Sequence, residues 1–339
     1  MAATSGRRSW HRHLSDPSVL EARATTAAVE LLRKGDVIAL PTETVYGLAA
    51  DALNPIAVAK IFEAKERPRF DPLIVHLPDE QWLERVAKVD DRSRAQIKKL
   101  IAQFWPGPLT LVLARKSVVP EIVTAGLETV AVRMSSHPVF AEIISAFGKP
   151  VAAPSANRFG RISPTTAQHV FDELSGRIQL IIDAGPTMYG IESTIVAVRK
   201  DRIDVLRRGP ITVEQLAEFG AIDIVSAPKT VSAPGQLPSH YAPKTPLRLI
   251  DNAELCALEQ NRRVGLLAWN ACIPAEKFAA VRILSQHQDL SEAAANLFRS
   301  LRELDDLDLD LIVAERVPAQ GLGAAILDRL ERASRHSDD

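Results

Sequence analysis

The chain has 339 residues, 46% of them apolar and 24% charged; one hydrophobic core rarely serves that length, and the balance excludes disorder throughout. No run approaches the ~18 apolar residues of a membrane span, and the two cysteines, Cys256 and Cys272, match no zinc or disulfide spacing, so a soluble protein of a reducing cytoplasm is expected. Net charge is only −1, yet residues 1–250 carry 31 Lys and Arg against 26 Asp and Glu, and the remainder 10 against 16, which makes the larger part the better host for an anionic ligand.

In chain order, residues 1–19 have basic residues but no apolar run after them, which reads as a flexible tail rather than a secretory leader. A helix is predicted over 20–34, stopped by Gly35. The stretch GDVIALPTETVYGLAAD then opens as a buried strand, 37–40, ended by Pro41, and two threonines, a glutamate and a tyrosine crowd its exit. Asn54 and Pro55 supply the cap and first turn of the next helix. Strands are predicted at 72–77, 109–114, 129–134, 150–154, 178–183, 193–198 and 203–208, and helices at 79–87, 91–104, 138–147, 165–174 and 212–219. Several strands are apolar almost throughout, as expected where helices cover both faces. Some follow one another too closely for helical crossovers, so residues 20–225 are expected to form an α/β unit on a mixed sheet.

Residues 226–246 hold five prolines and one glycine and read as a linker, though one carrying His240 and Tyr241. Beyond it, 247–335 reads as a smaller α/β unit with strands near 246–250, 262–269, 281–285 and 309–317, and helices near 252–260, 289–305 and 322–333.

No P-loop, nucleophile elbow or zincin motif is present. What stands out is a series of polar clusters at strand exits, where ligands bind in open α/β sheets. Lys65, Arg67 and Arg69 suit either a solvated helix end or an anion site. Arg133 ends an apolar run with no acid at an obvious position nearby; a bound carboxylate or phosphate, or a distant acid, would meet its charge. His76 is either a core histidine or a binding group. Ser155, Asn157, Ser163, Ser193 and Thr194 suit turns and caps as well as ligands. The acidic run from Glu303 to Asp310 reads as a solvated helix end.

Taken in order, PTETVYGLAADA, FEAKERPRFDPLIVHL, FWPGPLTLVL, TVAVRM, APSANRFGRISPT, DAGPTMYGIESTIV, VLRRGPIT and APGQLPSHYAPKTPL resemble the threonylcarbamoyl-AMP synthase family, the YrdC-like enzymes, in its longer two-domain form, which implies a twisted, open, mixed α/β sheet with a concave positive face, joined by the linker to a small Rossmann-like domain. The resemblance implies synthesis of threonylcarbamoyl-adenylate and pyrophosphate from L-threonine, bicarbonate and ATP, with magnesium held mainly through the phosphates. Separate machinery would then pass the group to tRNA, which is itself a candidate partner. It further implies Thr44, His76, Arg133 and Ser193 as threonine-binding residues, with Thr42 and Tyr46 nearby and backbone contacts from Ala153. Lys65, Arg67, Asp71, Thr129, Ser155, Asn157, Ser163 and Arg207 would hold ATP, and His240 and Tyr241 would close over it; Lys65, Arg67 and Arg133 would stabilise charge in the reaction. Two departures stand out. Asp71 replaces the family's usual asparagine, and Ser135 stands where proline is common, a change expected to alter only loop stiffness. The alternative is a non-catalytic RNA-binding module built on the same positive concavity.

Overall fold

A computed structural model describes residues 17–200, 202–225, 241–253, 262–270 and 275–335. His240, most of the predicted 252–260 helix and both cysteines lie outside the described residues.

In chain order, α1 (Pro17–Arg33), β1 (Ile38–Leu40), β2 (Gly47–Asp51), α2 (Pro55–Lys65) and β3 (Ile74–His76) are followed by α3 (Leu83–Val86) and β4 (Ala87–Lys88). Next come α4 (Asp91–Phe104), β5 (Leu109–Arg115), α5 (Glu121–Thr124), β6 (Thr129–Arg133), α6 (Pro138–Phe147), β7 (Val151–Ala152) and α7 (Ala167–Leu174). The first unit ends with β8 (Thr194–Arg199), β9 (Arg202–Arg207), α8 (Val213–Ala217) and β10 (Ala221–Ile224). The second contains β11 (Leu247–Ile250), β12 (Val264–Ala268), β13 (Ala280–Ile283), α9 (Leu290–Asp305), β14 (Leu311–Glu315) and α10 (Leu322–Ala333).

The local signals act as expected at several ends. Asn54 accepts the amides of Ile56 and Ala57 ahead of Pro55, and Gly35, at φ +72°, closes the turn after α1. Two expectations fail. The 178–183 run makes only a single bridge, Ile181 to Ala39, because three-residue β1 is ended by Pro41, which has no N–H to extend a ladder. The helix expected at 79–87 is a 3₁₀ turn and one α turn, after which Ala87 and Lys88 pair with β5.

The first sheet runs β1-β2-β7-β3-β6-β5-β8-β9-β10, with β4 beside β5. It is mixed: β3–β6, β5–β8 and β9–β10 are parallel and β5–β6 and β8–β9 antiparallel. The second, β11-β14-β12-β13, is wholly parallel. Successive strand residues point to opposite faces, and the core divides accordingly. Ala39, Leu48, Ala50, Val75, Val132, Ala152 and Val196 join one cluster with α2 and α4. Ile38, Leu40, Ala49 and Val151 pack the other face beneath α1 and α6, and Ile74, Ala131, Ile195 and Leu206 form a separate apolar group.

The register carries this alternation to the strand ends. His76 stands beside Arg133 and Val151, Ile74 beside Ala131, Thr110 beside Ile195, and Ile195 beside Arg207. Counting by twos from these pairs brings Ala153, His76, Arg133, Thr110, Ser193 and Arg207 to one face. A largely polar wall is thereby assembled from the ends of six strands, with no two of its residues neighbouring in sequence.

Candidate active site

The crevice on this face is lined by Thr42, Thr44, Gly47, His76, Arg133, Ala153 and Ser155 on one side. Arg67, Glu192, Ser193, Arg207 and Tyr241 line the other. Gly47 lets β2 pass close to the 153–155 segment, since a Cβ there would stand 3.3 Å from that of Ala153. Gly209 is required, because a Cβ there would lie 2.4 Å from the Thr194 amide and 2.5 Å from the Glu192 carbonyl.

The crowded exit of β1 resolves into separate tasks. Thr42 Oγ1 accepts the amides of Thr44 and Val45 at 3.1 and 3.2 Å and donates to the Val45 carbonyl at 2.6 Å, a hydroxyl-bonded turn that fixes where Thr44 points. Thr44 Oγ1 accepts from Arg133 Nη1 at 3.0 Å. Tyr46 turns away: its hydroxyl donates to the Gly185 carbonyl at 2.7 Å and accepts the Ala184 amide, and burial raises it to about 12. Tyr46 is therefore a brace behind the wall rather than a group facing the crevice.

Arg133 meets the distant acid that was one of its two expected partners. Its acid is Glu43, whose Oε1 lies 2.6 Å from Nη2, while Nε donates to the Gly107 carbonyl. Ser135, expected only to loosen a loop, donates its hydroxyl to the other oxygen of Glu43 and so aims the carboxylate at the guanidinium. Burial alone would raise the Glu43 carboxyl; Arg133 and Ser135 more than offset it and hold it below the usual range. His76 is fully enclosed, and burial, then Arg133, push it down to about 3. It is neutral at any ordinary working pH.

On the far side, Arg207 donates from Nε to the Ser193 carbonyl and from Nη2 to the Ser193 hydroxyl, both at 3.0 Å. Thr110 meets the same hydroxyl at 2.8 Å. Arg67 bonds the carbonyls of Asp71 and Pro72 and pairs with the Asp71 carboxylate at 2.8 Å. The anion placed by Asp71 thus has a basic partner inside the chain, and its carboxyl is raised by burial against the pull of Arg67 and Lys65.

Lys65 and Arg67 are buried while Arg69 is exposed, so a wholly solvated helix end does not describe this cluster. Lys65 donates to the carbonyls of Ser155, at 2.6 Å, and Asn157; burial, then Arg67, push its ammonium well down. Asn157 in turn donates to the Arg158 and Arg161 carbonyls, and Ser163 donates to Glu192. Lys65, Asp71, Asn157 and Ser163 therefore form a layer behind the lining. Thr129 is not brought to the crevice, for it opens β6 at the end opposite Arg133, about 13 Å away along an extended strand. Glu43, Thr110 and Glu192 were missed as site residues. Glu43 and Glu192 stood inside polar clusters at strand exits, and Thr110 is the one polar residue in LTLVLA; what the sequence lacked was a sign of their partners.

The acids nearest the cationic wall are each already engaged: Glu43 with Arg133, Asp71 with Arg67, and Glu192 with Arg329 at 3.1 Å. Among the described residues no three His, Cys, Asp or Glu converge on a point. The donor set does not form a protein cage for a divalent cation.

Comparison with known proteins places this geometry. A family profile described as telomere recombination matches residues 30–209, and one described as threonylcarbamoyl-AMP synthase, C-terminal domain, matches residues 211–335. The threonylcarbamoyl-AMP synthase of Bacillus subtilis is 41% identical over 334 residues, covering 94% of each chain. That of Pyrococcus abyssi is 39% identical over 324 residues, 91% of this chain and 93% of its own. The crystal structure of P. abyssi Sua5 complexed with L-threonine superposes with a TM-score of 0.86 at 39% identity, over 93% of this chain and 94% of that one. Two family profiles that together span residues 30–209 and 211–335, and 39–41% identity sustained over more than nine-tenths of the chain, establish that it belongs to the threonylcarbamoyl-AMP synthase family.

Proposed function

We propose that the protein is a nucleotidyltransferase that joins L-threonine, bicarbonate and ATP into L-threonylcarbamoyl-adenylate with release of pyrophosphate. The observation that carries this reading is the lining itself: the guanidiniums of Arg67, Arg133 and Arg207 face one crevice with the hydroxyls of Thr44 and Ser193. Such a wall suits two anions held side by side.

The threonine amine attacks bicarbonate, water leaves, and a carbamate remains. A carbamate oxygen then bonds to the α-phosphorus as the bond to the pyrophosphate oxygen breaks. The substrate supplies the nucleophile, so no side-chain covalent intermediate is required. The protein's task is to position the reactants and to neutralise charge gathering on the phosphoryl oxygens.

In this reading the N–H groups of Arg133 that the chain leaves unused take the threonine carboxylate. Thr44 and Ser193 meet its polar end, and neutral His76 and the Ala153 backbone complete the wall. Arg67, Arg207 and Ser155 hold the phosphates, and Tyr241 closes over the nucleotide. Lys65, Asp71, Asn157 and Ser163 support these groups from behind. Magnesium would come with the triphosphate, and no step is assigned to it. The 226–246 segment would divide the catalytic unit, 20–225, from the C-terminal unit, 247–335. Downstream, transfer machinery would deliver the product to tRNA in the cytoplasm; among the described residues no helix is long and apolar enough to cross a membrane.

The test is pyrophosphate release. Mixed with ATP, the protein should release it only when both threonine and bicarbonate are present. Release without either, or none with both alongside salt-sensitive RNA binding, would refute the reading and favour the RNA-binding module.

A further inference from the structure

One buried charge lies outside the reaction just described. Arg329, on α10 of the C-terminal unit, is 0% exposed, and a guanidinium is retained at such a position only where its donors are met. Its Nε donates to Glu192 Oε2 at 3.1 Å, Nη2 to the Glu192 carbonyl at 3.5 Å, and Nη1 to Asp328 at 2.9 Å. The other oxygen of Glu192 accepts the Ser163 hydroxyl. Glu192 lines the crevice and immediately precedes Ser193, the residue that holds Arg207.

The same guanidinium stands 5.5 Å from the centroid of the Tyr241 ring, within cation–π range. Phe298 of α9 stacks on that ring at 5.4 Å. Tyr241 has φ +66°, a left-handed backbone that a bulky residue adopts only when its surroundings enforce it. The segment leading to Ser193 is pressed from the same direction. A Cβ on Gly190 would lie 2.5 Å from the Ala294 carbonyl of α9, and Ile191 is buried in the cluster formed by α9 and α10. One face of residues 190–193 thus belongs to the C-terminal unit and the other to the crevice.

We propose that Arg329 is a positioning residue for the reaction, fixing Glu192 and Tyr241 together and through them the Arg207 and Ser163 end of the crevice, so that the nucleotide side of the site is incomplete without the C-terminal unit. Arg329 touches no substrate. The inference rests on the reading of that end as the ATP side.

Two variants test it in the full-length protein. R329M removes the charge. R329K keeps a charge able to reach Glu192 but loses the forked contact with its carbonyl. R332M, which removes the next arginine of α10, bonded to Asp328 at 3.1 Å, is the control. Calorimetric binding of a non-hydrolysable ATP analogue should weaken about tenfold or more in R329M and recover partly in R329K. The KM for ATP should rise in parallel while that for threonine changes less than about threefold, and R332M should match the unchanged protein. Unaltered analogue affinity in folded R329K and R329M, or a fall in kcat with both KM values intact, would overturn the proposal. If the unchanged protein binds the analogue but releases no pyrophosphate, the reaction reading alone fails, and the binding series still decides the role of Arg329. Absence of analogue binding by the unchanged protein overturns both.

Discussion

Replacing Glu43 by alanine isolates the charge that the fold places behind the threonine side of the crevice. Glu43 and Arg133 are each 3% exposed and 2.6 Å apart, so E43A leaves a buried guanidinium with hydroxyl and carbonyl partners but no anion. Breaking one side of such a pair costs about 3–5 kcal/mol. At roughly 2–4 °C per kcal/mol for a chain of this size, the melting temperature should fall by about 6–20 °C. L-Threonine brings a carboxylate to the same guanidinium, so saturating threonine should raise the melting temperature more in E43A than in the unchanged protein. E43Q keeps an acceptor for Ser135 and should lie between. Scanning fluorimetry with and without threonine reads both effects. An E43A protein that melts within about 2 °C of the unchanged one, or that gains no more from threonine, would refute the assignment of Glu43 as the resident counter-ion.

Removing the second resident anion should act in the same sense on the nucleotide: D71N frees Arg67 of its partner, so the KM for ATP should fall and its salt dependence steepen, while stability drops by about 1–3 kcal/mol; a higher KM for ATP would contradict this. S193A removes the hydroxyl shared by Arg207 and Thr110, a loss of about 1–3 kcal/mol, so kcat/KM for threonine should fall about 5- to 150-fold in steady-state pyrophosphate assays. His76 gives a pH prediction. Its folded value of about 3 lies below the ordinary 6.5, so its neutral burial costs nothing above pH 6.5 and stability is lost as pH falls from there towards 3, by about 1.4 kcal/mol per unit. H76Q should flatten that acid limb in urea titrations, and an unchanged limb would show that His76 is not the titrating group.

Much of the fold was legible because its signals are local. Asn54 with Pro55, Gly35, and the apolar periods of α4, α6 and α10 mark their own boundaries. β2 was hidden because GLAAD has little strand propensity; its place is set by the 150–155 segment, which accepts the amides of Leu48 and Ala52. At the site, the lining residues could be named because strand exits in an open sheet converge. Their partners could not, since pairing is a three-dimensional property. Nothing near Arg133 in sequence points to Glu43, and nothing in the GIEST run points to Arg329 on the last helix. Thr129 shows the converse limit: it shares a strand with Arg133, and strand length sets the two at opposite ends of β6.

The central claim is that one crevice holds threonine and ATP face to face. A crystal structure of the protein soaked with L-threonine and a non-hydrolysable ATP analogue tests it most directly. The account predicts the threonine carboxylate on Arg133, the phosphates on Arg67 and Arg207, and the amine turned towards the α-phosphate. Ligands on separate surfaces, or a crevice still closed by the Glu43 and Asp71 pairs with neither ligand inside, would contradict it.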